Sequence, residues 1–308
     1  MELSFQRKVH GKWILAGEHA VLRGVTALVF PIQEAYLEIS YQQTKEPLSL
    51  QLSGKYGAEL DLLFWGVLEK SFQILGLQKD DMHLKGQVRI HSEIPIGAGL
   101  GASGALCVAM SSWLSSLGYM KDSDLYFFAK KLEDIFHGES SGVDVAVALS
   151  GQGLKFSRQQ ENQKTEIKPL WRPQLMVSFS GKRGVTKDCV QKVKDFIAKD
   201  SKLGLELDQQ MRQASELGER SLLQPGLDLK TREQLLIQAM DMGNDCFEQW
   251  GLNSEAPKKH MQWLRQLGAL SVKPTGSGDG GFILSYWGES GLQKLTDQGV
   301  RSEFLSCF

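Results

Sequence analysis

The sequence predicts a two-domain protein that mixes antiparallel sheet with helices, and three observations predict it. The 308 residues are about twice the usual domain length, with one large domain as the alternative. In the first third, Leu37, Ile39 and Tyr41 alternate with Glu38, Ser40 and Gln42, the period-two pattern of a half-exposed strand. In the second half, helical patterns recur over 187–199, 206–223, 231–250 and 257–267, with Pro257 suited to a first helical turn.

Taken in order, Trp13–Ala16, Leu28–Ile32 and Tyr36–Tyr41 read as strands. Asp61 then precedes a helix whose Leu62, Trp65, Leu68, Phe72 and Leu75 fall on one stripe, with Gly76 as its stop. Val88, Ile90 and Ser92–Ile94 form a strand cut by Pro95, and the apolar run Ala102–Leu117 predicts a buried helix. Over 123–136, Leu125, Phe128, Ala129, Leu132, Ile135 and Phe136 share a stripe, with Ser123 as cap and Gly138 as end. The chain turns polar from Arg158 to Lys168, and Pro169 and Pro173 follow. A junction near residue 172 therefore divides the expected domains into 1–172 and 173–308. Leu175–Ser180 and Gly281–Trp287 are the strands expected beyond it.

Composition narrows the function classes. With 42% hydrophobic and 23% charged residues, the chain is not broadly disordered. Thirty-five basic against 36 acidic residues leave no cationic field for nucleic acid or an anionic membrane. The longest apolar stretch, Leu62–Leu68, is far short of a bilayer span, and the start MELSFQRK has no hydrophobic export segment. Cys107, Cys189, Cys246 and Cys307 are too dispersed for a disulfide framework or a paired zinc site. A soluble cytoplasmic protein with reduced thiols is the expectation.

Eight of the 32 glycines lie in two clusters, GAGLGASG over 97–104 and GSGDGG over 276–281. A glycine loop that opens a helix brings bare backbone N–H groups to an anion, so the first cluster suits a phosphate; a pair of tight turns is the alternative. Both clusters also match G-x-G-x-x-G, at Gly99, Gly101 and Gly104 and at Gly276, Gly278 and Gly281. A nicotinamide-binding fold is disfavoured, because Pro95 breaks the strand-to-loop junction and a strand follows the second loop. A Walker-type phosphate loop is absent from the sequence.

Charged groups accompany the loops. Ser103 can face a phosphate or its magnesium, or cap the helix. Glu133 lies about 90° from the centre of its helix's apolar stripe. That position favours a solvated glutamate, with an inward-facing ligand as the alternative. Asp144, among Val143, Val145 and Ala146, is either a cap or a functional base. Lys12 and Glu18 can form an ordinary salt bridge, and His19 can be a satisfied polar side chain.

Together the segments GKWILAGEHAVLRG, PIGAGLGASGAL, HGESSGVD and KPTGSGDGGF resemble, in order and spacing, the mevalonate kinase branch of the GHMP small-molecule kinases. The resemblance implies an α+β fold with two domains. The amino-terminal one is like ribosomal protein S5 domain 2, and the carboxy-terminal one is ferredoxin-like. It implies ATP-dependent phosphorylation of the primary hydroxyl of mevalonate, with magnesium, in isoprenoid biosynthesis, and it allows a homodimer. Gly97, Ala98, Gly99, Leu100, Gly101, Ala102 and Ser103 would hold the ATP phosphates, and Gly276, Ser277 and Gly278 would close over them. Ser103 and Glu133 match the magnesium ligands, Asp144 the catalytic base, and Lys12 the cation beside it. Glu18, His19 and Thr186 match positions near the substrate.

Three departures stand out. Ala102 replaces a serine of GLGSS, Ser140 a proline of HGxPSG, and Asp279 interrupts the last glycine run. Asp279 brings a negative charge toward the expected phosphates, unless it points away to fix a turn. Two other functions compete: a sibling kinase on phosphomevalonate or another small alcohol, for which Lys182, Arg183 and Lys187 could supply charge, and a non-catalytic ATP-binding protein on the same scaffold.

Overall fold

A computed structural model describes residues 4–77, 84–158, 164–288 and 291–308, apart from the side chains of His137 and Leu292. Residues 1–3 of the amino-terminal segment and 159–163 of the polar stretch lie outside the described residues. Two compact units interleave along the chain. The first comprises Met1–Gly11, Glu34–Ile96 and Gly101–Gly151, and the second Lys12–Gln33, Gly97–Leu100 and Gln152–Phe308. Residue 172, where the sequence suggests a junction, falls inside the second unit.

Strands β1 (Ser4–Ala16) and β2 (Ala27–Pro47) pair with each other, and each contributes residues to both units. The separate strands expected at 28–32 and 36–41 are thus one strand, with Pro31 inside it. In the first unit, β3 (Ser49–Ser53) is followed by α1 (Asp61–Leu75) and β4 (Lys85–Ser92). Then come α2 (Ala102–Ser116), α3 (Leu125–His137) and α4 (Val143–Ser150). β4 runs antiparallel to β2, with Leu37 opposite Ser92 and Tyr41 opposite Val88, and parallel to β3. Buried Phe64 of α1 and Tyr41 of β2 both meet Trp113 of α2, at ring separations of 6.2 and 5.2 Å.

That packing corrects two expected stripes. On α1 the buried face is Phe64, Val67, Leu68 and Phe72, while Leu62 is 85% exposed and Trp65 39%. Apolar residues lie on more than one side of this helix, and the side that reaches Trp113 is the one buried. A short 3₁₀ turn at Asp122–Asp124 precedes α3, so Ser123 bonds Asp124 (3.2 Å) and caps nothing. Within α3, Leu132 and Glu133 are buried while Ile135 is about half exposed.

In the second unit, the start of β2 pairs antiparallel with β5 (Gly153–Phe156), and β5 with β6 (Thr165–Ile167). After β7 (Leu175–Phe179) come the helices α5 (Thr186–Lys199), α6 (Ser201–Leu223), α7 (Leu229–Gln249) and α8 (Glu255–Gln266). The side chains of Asp200 and Asp228 cap α6 and α7, accepting from Leu203 and Thr231 amides at 3.0 and 2.7 Å. Then follow β8 (Ser271–Pro274), β9 (Phe282–Tyr286), α9 (Gly291–Asp297) and β10 (Phe304–Ser306). The second sheet has the order β10-β7-β9-β8, antiparallel throughout. One core cluster joins Cys189 and Val193 of α5 to Met211, Phe247 and Trp250; another packs Met261 and Leu264 against Val272, Ile283 and Phe304. All four cysteines are free and buried. Among the described residues no helix is long and apolar enough to cross a membrane.

Candidate active site

In the first unit, Gly101 takes a left-handed φ of 77° and delivers the chain into α2, with half-buried Ser103 in its first turn. The unbonded amides at such a helix start attract anions. One residue on, Gly104 faces α3 and α4. A methyl group there would lie 3.0 Å from both Glu133 Oε1 and Asp144 Cβ, so the glycine backbone, Glu133 and Asp144 converge at one spot. The Glu133 side chain is 1% exposed, which corrects the expectation of a solvated helix edge. The Ser140 hydroxyl donates to Glu133 Oε2 and accepts from the Gly142 amide at 2.9 Å. The Ser140 amide in turn donates to Asp134 (2.7 Å). Ser140, a departure from the family motif, therefore fixes the carboxylate. Asp144 sits half-buried in the first turn of α4, after Gly142 at φ 79°.

In the second unit the two glycine loops lie backbone against backbone. A Cβ on Gly281 would sit 2.5 Å from the Ala98 carbonyl, and one on Gly276 3.0 Å from that of Gly99. The Phe282 amide donates to Ala98 at 3.0 Å. Lys12, buried on β1, donates its amide to Leu100 at 2.9 Å. Glu18 forms an ion pair with Lys273 of β8 at 2.5 Å, both side chains within 1% of full burial. Burial pushes the Glu18 carboxyl up and the Lys273 ammonium down, and their mutual attraction, with Lys12 also acting on both, opposes or modifies each shift.

His19, at φ 56°, donates from Nε2 to the Ser277 carbonyl at 2.9 Å and packs edge-on against Phe247 and Trp250. Burial lowers its pKa to about 4, so the ring is neutral at pH 7. Half-buried Thr186, at the start of α5, donates to the Ser277 hydroxyl at 3.3 Å.

Ser103, Glu133 and Asp144 thus gather in the first unit; Lys12, Glu18, His19, Thr186 and Gly276–Gly278 belong to the second. Sequence reasoning overlooks Lys273, and it names Ser140 only as a departure from the motif and Gly104 only as a glycine of the first cluster. Lys273 carries the one available signal, a charged residue between the apolar positions of a buried strand. Asp279 pairs with Lys182 Nζ at 3.0 Å. Burial opposes its ionisation, but bonds from Ser254 and Lys182 outweigh that and hold its carboxyl below the usual range. The nicotinamide alternative fails on topology, because β9 follows the second loop and its sheet is antiparallel.

Among the described residues no group of three or more His, Cys, Asp or Glu side chains forms a metal cage. The chemistry still fits magnesium, which is commonly held by one or two carboxylates together with substrate phosphates and waters. Glu133, whose Oε1 faces Gly104, supplies one such carboxylate, and Ser103 in the first turn of α2 adds a hydroxyl.

The chain matches the GHMP kinases N terminal domain over residues 63–152. It is 29% identical over 304 residues to the mevalonate kinase of Aeropyrum pernix, covering 95% of this chain and 91% of that one. It is 26% identical over 291 residues to that of Pyrococcus furiosus, covering 88% and 85%. Its fold superposes on the L. major mevalonate kinase solved with R-mevalonate at a TM-score of 0.77, with 23% identity, covering 99% of this chain and 95% of that one. The chain thus carries a match to the GHMP kinases N terminal domain over residues 63–152 and is similar over most of its length to mevalonate kinases.

Proposed function

We propose that the chain transfers the γ-phosphoryl group of ATP to the primary hydroxyl of mevalonate, giving 5-phosphomevalonate. The observation that carries this reading is the convergence of Glu133 and Asp144 at Gly104, on the helix opened by the first glycine loop. Asp144 accepts the hydroxyl proton, the freed oxygen forms the new bond to phosphorus, and the β–γ bridging oxygen leaves with ADP. Such a base contributes about 10²–10⁴ in rate. Lys12 neutralises charge on the phosphoryl group in transfer, and a preset cation of this kind needs no reorganisation during reaction. Residues 97–103 and Gly276, Ser277 and Gly278 hold the phosphates through backbone amides. Ser103 and Glu133 hold magnesium, which when bound neutralises the phosphate oxygens. Glu18, His19 and Thr186 orient the acceptor.

Relatives that act on mevalonate favour this acceptor. The engagement of Lys182 by Asp279 weighs against an acceptor that already carries a phosphate, because one expected cation is taken. The test is coupled ADP release with mevalonate, phosphomevalonate, galactose and homoserine, each with and without magnesium. Magnesium-dependent release selective for mevalonate is the expected result. Preference for another acceptor overturns the substrate, and release with none overturns the kinase.

A further inference from the structure

The Glu18–Lys273 pair is buried more deeply than an ordinary salt bridge, and its surroundings are shaped for it. Lys273 is fully buried, and its Nζ donates to Glu18 Oε1 at 2.5 Å and to the Pro274 carbonyl at 2.7 Å. It lies 5.4 Å from the Phe247 ring. Gly243 of α7 leaves the room its stem needs, since a methyl group there would come within 3.0 Å of Cε. Sealing two charges from water is costly unless the geometry is good, and replacing both by apolar groups of like size is often harmless to stability. A pair kept in this place invites a reason beyond packing.

Position supplies one. Segment 14–19 is tied to segment 273–277 at three points. Thr275 Oγ1 accepts from the Ile14 amide at 2.8 Å, His19 donates to Ser277, and Glu18 meets Lys273. Among the described residues, Glu18 Oε2 is buried and has no hydrogen-bond partner. A buried carboxylate oxygen left this way is a strong acceptor awaiting a donor.

We infer that Lys273 is a positioning residue for acceptor binding: it fixes Glu18 so that Oε2 accepts a hydrogen bond from a hydroxyl of the acceptor alcohol. The inference rests on the kinase reading above. Holding Oε1 on the ammonium leaves Oε2 as the free acceptor and sets its direction. An acceptor with a second hydroxyl besides the one phosphorylated is the class such a group selects.

Lys273→Met is the first test. The KM for mevalonate rises at least about tenfold while the KM for ATP stays within about twofold; a role confined to packing moves both together or neither. Calorimetric titration with mevalonate reads the same loss without turnover. Because Lys273→Met strands a buried carboxylate, two compensated variants accompany it. Glu18→Gln with Lys273→Met keeps a carbonyl acceptor and recovers part of mevalonate binding; Glu18→Leu with Lys273→Met folds but does not recover it. Equal binding by the two double variants overturns the inference, as does an unchanged mevalonate KM in the single variant. A wild-type protein inactive on the whole panel instead defeats the kinase reading. Hydrogen exchange over 14–19 then decides for Lys273: faster exchange in Lys273→Met supports its hold on the turn, and unchanged exchange refutes it.

Discussion

Glu133 and Glu18 are both buried glutamates at the candidate site, yet they are built in opposite ways. Glu133 is fixed from nearby in sequence, by the Ser140 hydroxyl seven residues on, and Asp144 follows on the next helix. Glu18 is fixed by Lys273, 255 residues away, inside a seam that ties 14–19 to 273–277. A short local hairpin of helices needs little else to form, and its half-exposed Asp144 remains open to chemistry. A seam between distant segments forms only when the whole second unit folds, so its charges are tied to stability. Under the proposed function, the difference predicts that rate is lost in the first region and both binding and stability in the second.

The sharpest test of that division is Asp144→Asn. Turnover is expected to fall by about 10²–10⁴, or roughly 3–5 kcal/mol of barrier. ATP affinity should hold, and unfolding free energy should drop by no more than about 1 kcal/mol, the worth of a charge in a helix's first turn. Steady-state kinetics beside urea unfolding reads both, and near-normal turnover removes Asp144 from the base role. Glu18→Ala should show the converse signature. It strands the Lys273 ammonium in the interior, at a cost of about 3–5 kcal/mol in unfolding free energy. A stability loss under about 1 kcal/mol would show that the two regions are not so different.

The seam also predicts how stability responds to acid. His19 has a folded pKa near 4 against 6.5 for the free side chain, chiefly because it is buried. Below 6.5 the unfolded chain takes up a proton that the folded chain refuses until about 4. Folding therefore loses stability as pH falls through that window and gains nothing further above it. The loss from one such histidine is at most roughly 3 kcal/mol. His260 on α8, bonded to Ser178, is half-buried, and that burial also lowers it to about 4, which makes it the internal comparison. Urea unfolding at pH 7 and 4.5 should show a shallower pH dependence for His19→Gln, and likewise for His260→Gln. A His19 variant with the full wild-type slope would mean that its ring is not buried neutral.

Local construction was also what the sequence made legible. The helices α2, α5, α6, α7 and α8 lie within a few residues of their predicted spans, since apolar period and stop signals are read within one segment. Both glycine loops and the 11-residue step from Glu133 to Asp144 are likewise local. What a partner elsewhere decides was not legible. Which face of α1 is buried depends on Trp113, and the length of β2 depends on pairing with both β4 and β5. Glu133 illustrates the limit most plainly: helical angle alone put it at the solvated edge, and the Ser140 turn draws it in. Lys273 was overlooked for the same reason, because its partner sits at the far end of the chain.

Asp279 should show the smallest effect, because it is charged and sits in the second glycine loop yet belongs to neither arrangement. Its carboxylate meets Lys182 with the two side chains 34% and 44% exposed, and pairs so open to water contribute about 0.2–1 kcal/mol. Its backbone sits at φ 55°, a conformation costing a non-glycine residue about 1–2 kcal/mol, less for Asp than for most. In Asp279→Gly the lost ion pair and the relieved backbone oppose each other, so unfolding free energy should change by less than about 1 kcal/mol. Because the carboxylate is turned toward Lys182, the KM for ATP should move by less than about twofold. A marked tightening of ATP binding in that variant would mean the charge had been repelling the phosphates after all. The loop would then be a place where this chain gives up nucleotide affinity, and the quiet role assigned to Asp279 would fail.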